Sequence, residues 1–205
     1  METFAPTKST LMAAKSSLDF SRKGFELLDK KRNVLIREMM SYVSKARILQ
    51  NQLDITFSKA YKALECANIN SGTTNTRGIA MSVGEADDYE ILFKSVMGVE
   101  VPKIIFERKE IELKYGLYRS SVAIDEVMRT FNNVKYLTYE LAEVTNAVYR
   151  LAVEVKKTQK RANALQNIQI PKFSEIVKYV TEVLEEKERE DFFRLKVVKK
   201  KHKKE

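Results

Sequence analysis

A chain of 205 residues with only six glycines and three prolines is poor in loop-shaping residues, and 32% of it is charged. That balance disfavours a loop-rich globular enzyme and suits long amphipathic helices with one wetted face. No apolar run reaches the about 18 residues of a membrane span, and the start METFAPTKST lacks the apolar core of a signal peptide.

Cys66 is the single cysteine, so no internal disulfide forms, and a lone thiol fits an intracellular setting. The net charge of +9 has two readings, a nucleic-acid or membrane partner, or a solvated helix face plus a basic tail. From Lys196 to Glu205 the tail carries six lysines against one glutamate, more than half of the excess. Without an aromatic-rich RNA platform or zinc-ligand spacing, the tail accounts for the charge better.

From about Lys8 to Asn68 the chain has no proline. Apolar or small residues recur at heptad spacing: Leu11, Leu18, Phe25, Met39, Ala46, Leu53 and Ala60 in one row, and Ala14, Leu28, Leu35, Tyr42, Leu49 and Ala63 in the other. Ser21 and Arg32 interrupt them. This spacing predicts a left-handed coiled coil. Thr7 or Ser9 is placed to cap its start, just after Pro6. Such a helix runs roughly 90 Å, longer than a globular domain needs.

The segment from about Asn70 to Glu107 differs. Gly72, Gly78, Gly84 and Gly98 lie in it, with Gly116 just beyond. Turn residues separate three short apolar runs, Ile79–Val83, Glu90–Phe93 and Lys103–Phe106, read here as strands or a hairpin. Pro102 restricts its strand to an edge.

A second heptad segment runs from about Ile111 to Ile168. Leu117, Ile124 and Phe131 form one row, and Val127, Val134, Leu141, Val148 and Val155 the other. Leu137, Val144 and Leu151 widen the stripe, so this helix packs against more than one neighbour or drifts from strict heptads. Pro171 predicts a break, with Ile170 pushed out of helical dihedrals. A shorter amphipathic helix follows through Phe173, Ile176, Val177, Val180, Val183 and Leu184. An acidic stretch, Glu185–Asp191, precedes Phe192, Phe193 and Leu195.

The expected fold is therefore mainly α: a long antiparallel two-helix coiled coil with a small β-containing hairpin insert. The parts are an N-terminal helix (1–69), the insert (70–110), a C-terminal helix broken near Pro171 (111–195) and a basic tail (196–205). Folding the helices back from an apex at Asn68 and Glu112 places Leu11 near Gln169. The residues after Pro171 then form an overhang with no partner on the first helix.

Catalytic groups are hard to find. His202, the only histidine, sits in the lysine tail. Cys66 reads as a buried or half-buried structural thiol for want of a nearby histidine. Gly72, Gly78 and Gly84 are evenly spaced, but no lysine-serine or lysine-threonine follows to complete a phosphate-cradling loop. Lys187 and Arg189 interleave with the Glu185–Asp191 acids, as on a salt-bridged helix surface. Asp87 and Asp88 read as a turn before a strand. Phe and Tyr on the heptad rows read as core. No catalytic residue, metal or cofactor is expected.

Two stretches go further. Pro6–Leu11 and Gly24–Leu35 (GFELLDKKRNVL), with Arg161–Leu165 (RANAL), Ile170-Pro171 and Leu184–Lys196 (LEEKEREDFFRLK), resemble the D subunits of V-type and archaeal-type rotary ATPases. They stand in the family's order at both ends of the chain; Ala162 replaces an expected valine. The resemblance implies a non-catalytic rotor shaft at the cytoplasmic side of the membrane. It implies both terminal helices inside a hexamer of A and B subunits, the small F subunit on the side, and the connector, named C or d, at the membrane end. The ion, proton or sodium, stays open, and no nucleic acid or membrane insertion is implied.

Expected hexamer contacts are Arg161, Asn163 and Leu165, together with Phe173, Ile176, Val180, Leu184, Phe192, Phe193 and Leu195 of the overhang. Expected stalk contacts are Asp88, Tyr89 and Ile91. A free-standing coiled-coil scaffold or adaptor shares the heptads but has no need of the terminal motifs. A nucleic-acid binder would rest on the basic tail alone.

Overall fold

The computed structural model of the chain describes residues 5–83, 88–108, 115–116 and 120–202, without the side chains of 201 and 202. Gly84, Asp87, Ile111, Glu112, Leu117 and the His202 side chain, all invoked above, lie outside the described residues. The elements are α1 (Lys8–Ser71), α2 (Thr73–Ala80), β1 (Tyr89–Val96), β2 (Val99–Phe106), α3 (Val122–Ala164), a π-helical turn (Leu165–Gln169) and α4 (Ile170–His202). By compactness they form two units, one of residues 1–33 with 155–205 and one of residues 34–154.

α1 is an uninterrupted helix of 64 residues. Thr7 caps it, its hydroxyl oxygen accepting the Thr10 N–H at 3.2 Å. Gly72, at φ 79°, turns the chain away from its end. The expected seam is the buried one, at Ala14 and Ser21 in the first unit and Leu35, Leu53 and Ala60 in the second, and it extends to Ala67. Ser21 is no defect in it, since its hydroxyl donates to the Ser17 carbonyl at 2.7 Å.

In the first unit the helices run antiparallel. Lys8 pairs with Glu188 at 3.2 Å, and Leu11 and Met12 share a groove with Thr181 and Leu184. Arg32 reaches Gln159 at 2.7 Å. In the second unit the Ser71 and Ser121 hydroxyls meet at 3.0 Å, and the Tyr61 ring packs edge-on against Phe131 at 5.9 Å. Leu53, Ala60 and Val134 form the local core, flanked by Phe57, Phe131, Leu137 and Leu141. A fully buried Leu or Val contributes about 1.5–3 kcal/mol, and Leu35, Leu151 and Val180 are the largest such side chains.

This register corrects the expected overhang. Leu11 lies by Leu184, not Gln169, because the turn closes between Ser71 and Ser121 and α3 starts at Val122 rather than near Ile111. The stripe after Pro171 therefore has α1 as its partner, up to Glu188.

Two further expectations change. Ile79 and Ala80 end helix α2 instead of forming a strand. The Thr76 N–H and hydroxyl both donate to the Gly72 carbonyl, so local bonding wins where no strand offers a ladder. Pro171 does not break the helix, and Ile170 is helical at φ −62°, ψ −48°. A proline ring clashes with the carbonyl four residues back. Here the widened turn before it, with the Ile170 N–H donating to Leu165, absorbs the conflict.

β1 and β2 form an antiparallel hairpin, Tyr89 opposite Phe106 and Val96 opposite Val99. Met97 (φ 52°) and Gly98 (φ 80°) make the two-residue turn.

Candidate interaction surfaces

One ion pair ties the start of the hairpin to α3. Asp88, just before β1, accepts three hydrogen bonds on its carboxylate: from Lys135 Nζ at 2.6 Å, Tyr136 OH at 3.2 Å and Tyr139 OH at 3.1 Å. Its side chain is only 6% exposed. The Lys135 hydrogen bond leads in holding the Asp88 carboxyl below its ordinary range, against the opposing effect of burial. The Tyr139 phenol is pushed up to about 12, by burial first and then by the adjacent carboxylate.

Above this point the hairpin packs by rings and edges. Phe106 stacks on Tyr136 at 5.3 Å, and Tyr89 tilts against Tyr139 at 5.2 Å. The Ile104 N–H donates to Glu143 at 2.7 Å, and Arg150 donates to the Glu100 carbonyl at 3.0 Å while lying over the Phe93 ring. The widened stripe on α3 thus has two neighbours, α1 on one side and the hairpin on the other. Sequence reasoning missed Lys135, Tyr136, Tyr139, Glu143 and Arg150. Their signal is the i, i+3, i+7 spacing of Tyr136, Tyr139 and Glu143, a second face beside the heptad rows.

Of the expected stalk contacts, Asp88 is therefore spoken for within the chain. Tyr89 and Ile91 are about half exposed, and Leu92, Phe93 and Met97 extend an exposed apolar surface along β1 and the turn.

The two motif stretches meet within the first unit. Arg32, which interrupts the heptads, bridges Asp29 at 2.6 Å and the Gln159 amide oxygen at 2.7 Å. The Gln159 amide nitrogen donates to Asn163 at 2.6 Å. A side chain on Gly24 would meet Leu165 at 3.5 Å. Residues from GFELLDKKRN and RANAL thus build one polar and packing junction. Arg161 and Asn163 are exposed on it, Ala162 is buried and Leu165 is half-buried.

Farther along α4, Phe173, Ile176 and Leu184 are half-buried and Val180 is wholly enclosed, so Val180 acts through packing. Phe192, Phe193 and Leu195 are 56%, 65% and 67% exposed, followed by exposed Val197 and Val198. Lys196 lies over the Phe192 ring, and Arg189 and Arg194 pair with acids one turn back. This is an apolar strip with a salt-bridged acidic stretch before it and lysines after it.

Among the described residues no group of three or more His, Cys, Asp or Glu is placed to hold a metal ion. No described helix is long and apolar enough to cross a membrane. Cys66 is exposed rather than buried.

Comparison with known proteins agrees with the terminal motifs. The family model for the ATP synthase D subunit matches residues 10–200. The chain is similar to the V-type ATP synthase D subunit of Thermotoga neapolitana, 43% identical over 96% of this chain and 97% of that one. It is similar to the A-type ATP synthase D subunit of Thermococcus sibiricus, 36% identical over 95% and 92%. With that of Methanopyrus kandleri it shares 34% identity over 97% and 87%. A match over nearly the whole chain, with both terminal motifs folded into one junction, makes this chain a member of the family of ATP synthase D subunits.

Proposed function

We propose that the chain is the axle of the central stalk in a V/A-type rotary ATPase, a non-catalytic subunit that transmits rotation between ATP turnover and ion transport. It turns inside a ring of alternating A and B subunits at the cytoplasmic face of the membrane. The F subunit binds its side, and the connector, C or d, joins it nearer the membrane. The observation that carries this reading is the family match over residues 10–200. The junction of Arg32, Gln159, Asn163, Gly24 and Leu165 supports it, since it gives the two motifs one structural purpose, a locked pair of antiparallel helices.

A paired helix suits an axle for a physical reason. Either helix alone gains little in water, while the seam adds burial layer by layer. Its cross-section is asymmetric, so catalytic sites around it meet different faces, and differential contact is what biases their conformations. Within this reading Phe192, Phe193 and Leu195 with exposed Arg161 and Asn163 face the hexamer. Tyr89, Ile91 and their apolar neighbours on β1 face the stalk.

Assembly tests this directly. Mixed with A, B and F subunits, the chain should enter the complex, cross-link from residue 193 to A or B, and cross-link from residue 91 to stalk subunits only. Cross-links from residue 91 to A or B alone would reverse the assigned orientation. ATP turnover by the purified chain alone would overturn the non-catalytic assignment.

A further inference from the structure

The π-helical turn at Leu165–Gln169 sits in the middle of an otherwise regular seam. Before it, the inward row on α3 follows strict heptads: Val144, Leu151 and Thr158 are buried and Leu165 is half-buried. A heptad step from Leu165 would bring Lys172 and then Tyr179 inward. The structure instead buries Val180 completely, half-buries Phe173, and leaves Tyr179 57% exposed. The row has moved by one residue, and a π turn is a one-residue insertion into an α-helix. On the companion row Ala162 is buried, and beyond the turn Ile176, Val177, Val183 and Leu184 are all half-buried, so the shift is read from the Val144–Leu165 row.

Pro171 stands just beyond that turn. It has no N–H to give to the ladder, and its ring excludes a regular carbonyl four residues back. From these two facts we infer that the π turn and Pro171 form a phase lock. The extra residue sets which face of α4 meets α1, and the proline disfavours the regular helix that would remain without it. The inference concerns the chain's own fold and stands apart from its assignment as an axle.

If the turn healed into regular helix, α4 would rotate by about 100° per residue. That would turn Lys172 and Tyr179 towards α1, in place of Phe173 and Val180. The sequence after Pro171 is therefore written for the shifted phase. Gly24 lies opposite Leu165 at the start of the turn, with room for a methyl at an ordinary 3.5 Å.

The test uses the full chain with Cys66→Ser and Val180→Cys, so that the only thiol reports the seam. In this background the thiol should label slowly. Deleting Asn167 together with Pro171→Ala restores unbroken heptads on a regular helix. That variant should melt at or above its parent and keep the thiol protected within about twofold. Deleting Asn167 while keeping Pro171 forces the proline into a regular ladder and should lower the melting temperature by roughly 5–10 °C. Pro171→Ala alone should keep the turn, because the seam still requires it, and keep the thiol protected.

Two results would overturn the lock. One is tenfold or faster labelling in the Asn167-deleted, Pro171→Ala variant. The other is deletion of Asn167 being tolerated equally with and without Pro171.

Discussion

Asp88 gathers three hydrogen bonds from α3 on one carboxylate. Replacing it with alanine leaves Lys135 and two phenols without their acceptor, a loss of about 2–3 kcal/mol for a charged hydrogen-bonded group. The expected result for Asp88→Ala is fast amide exchange and proteolysis confined to β1 and β2, with the helical signal retained. The pH dependence has two limbs. The Asp88 carboxyl is lowered, so its contribution is present above its ordinary 3.8 and is lost as pH falls through the lowered value. The Tyr139 phenol is raised from 10.0 to about 12, so its contribution is full below 10 and lost as pH rises through 12. Hairpin protection measured against pH should fall in both windows and stay flat between them. Gly24 offers a change of opposite sign. An added methyl meets Leu165 at an ordinary 3.5 Å, while alanine is favoured over glycine in a helix interior. Gly24→Ala should stabilise the chain by about 0.5–1 kcal/mol, read in thermal melts.

At the scale of elements, the hairpin turn holds the one non-glycine residue of positive φ among those described, Met97. Such a turn prefers asparagine first and glycine second, and a left-handed conformation costs about 1–2 kcal/mol for an ordinary side chain. Met97→Asn should slow hairpin amide exchange by several-fold while removing an apolar group from the exposed tip. The helices and the hairpin strands were legible because period and turn chemistry are local. Ala14, Leu53 and Ala60 lie where the heptads place them, and Ile104 to Phe106 pair with Tyr89 to Ile91 as a β run should. Register was not legible. It depends on where the chain turns, and the Ser71–Ser121 contact is a long-range fact with no local pattern. The same holds for Pro171. Its local preference is to end a helix, and only the seam on both sides shows that one added residue lets the helix continue. Ile79 and Ala80 misled because a short apolar run fits a strand and a helix end equally.

For the molecule as a whole, the register changes which truncation is informative. Cutting after Ile170 removes the partner of Leu11 and Met12 and should destabilise the N-terminal half of α1, with helix loss beyond the deleted residues. Among the described residues, cutting after Asp191 removes only exposed side chains, Phe192, Phe193, Leu195, Val197 and Val198 among them. That shorter chain should melt within about 1 °C of the full one, as expected where no buried contact is lost. It should nevertheless assemble poorly with A and B subunits or uncouple ATP turnover from ion transport. Normal assembly and pumping would remove this strip from the contact surface. The strip itself was readable from sequence, since Phe192-Phe193 breaks the amphipathic pattern. The partnered stretch before it was not, because half-buried Phe173 and Leu184 look alike whether they face a sister helix or another protein of the complex.

The two edges of the hairpin are unequal. By the pairing of Ile91 with Ile104 and Phe93 with Pro102, the outward backbone groups of β2 belong to Glu100, Pro102 and Ile104. Arg150 occupies the first carbonyl, the proline has no N–H, and Glu143 takes the N–H of the third. That side offers an incoming strand an occupied carbonyl at Glu100 and no free N–H at Pro102 or Ile104. The outward groups of β1, at Ile91, Phe93 and Ser95, have no such cover in the hairpin's own pairing. Exposed apolar edges are the usual seed of fibrils, but growth needs two open sides. An incoming strand on β1, even from a second copy of the chain, would close the ladder instead of extending it, so strand exchange by this protein stops at a pair.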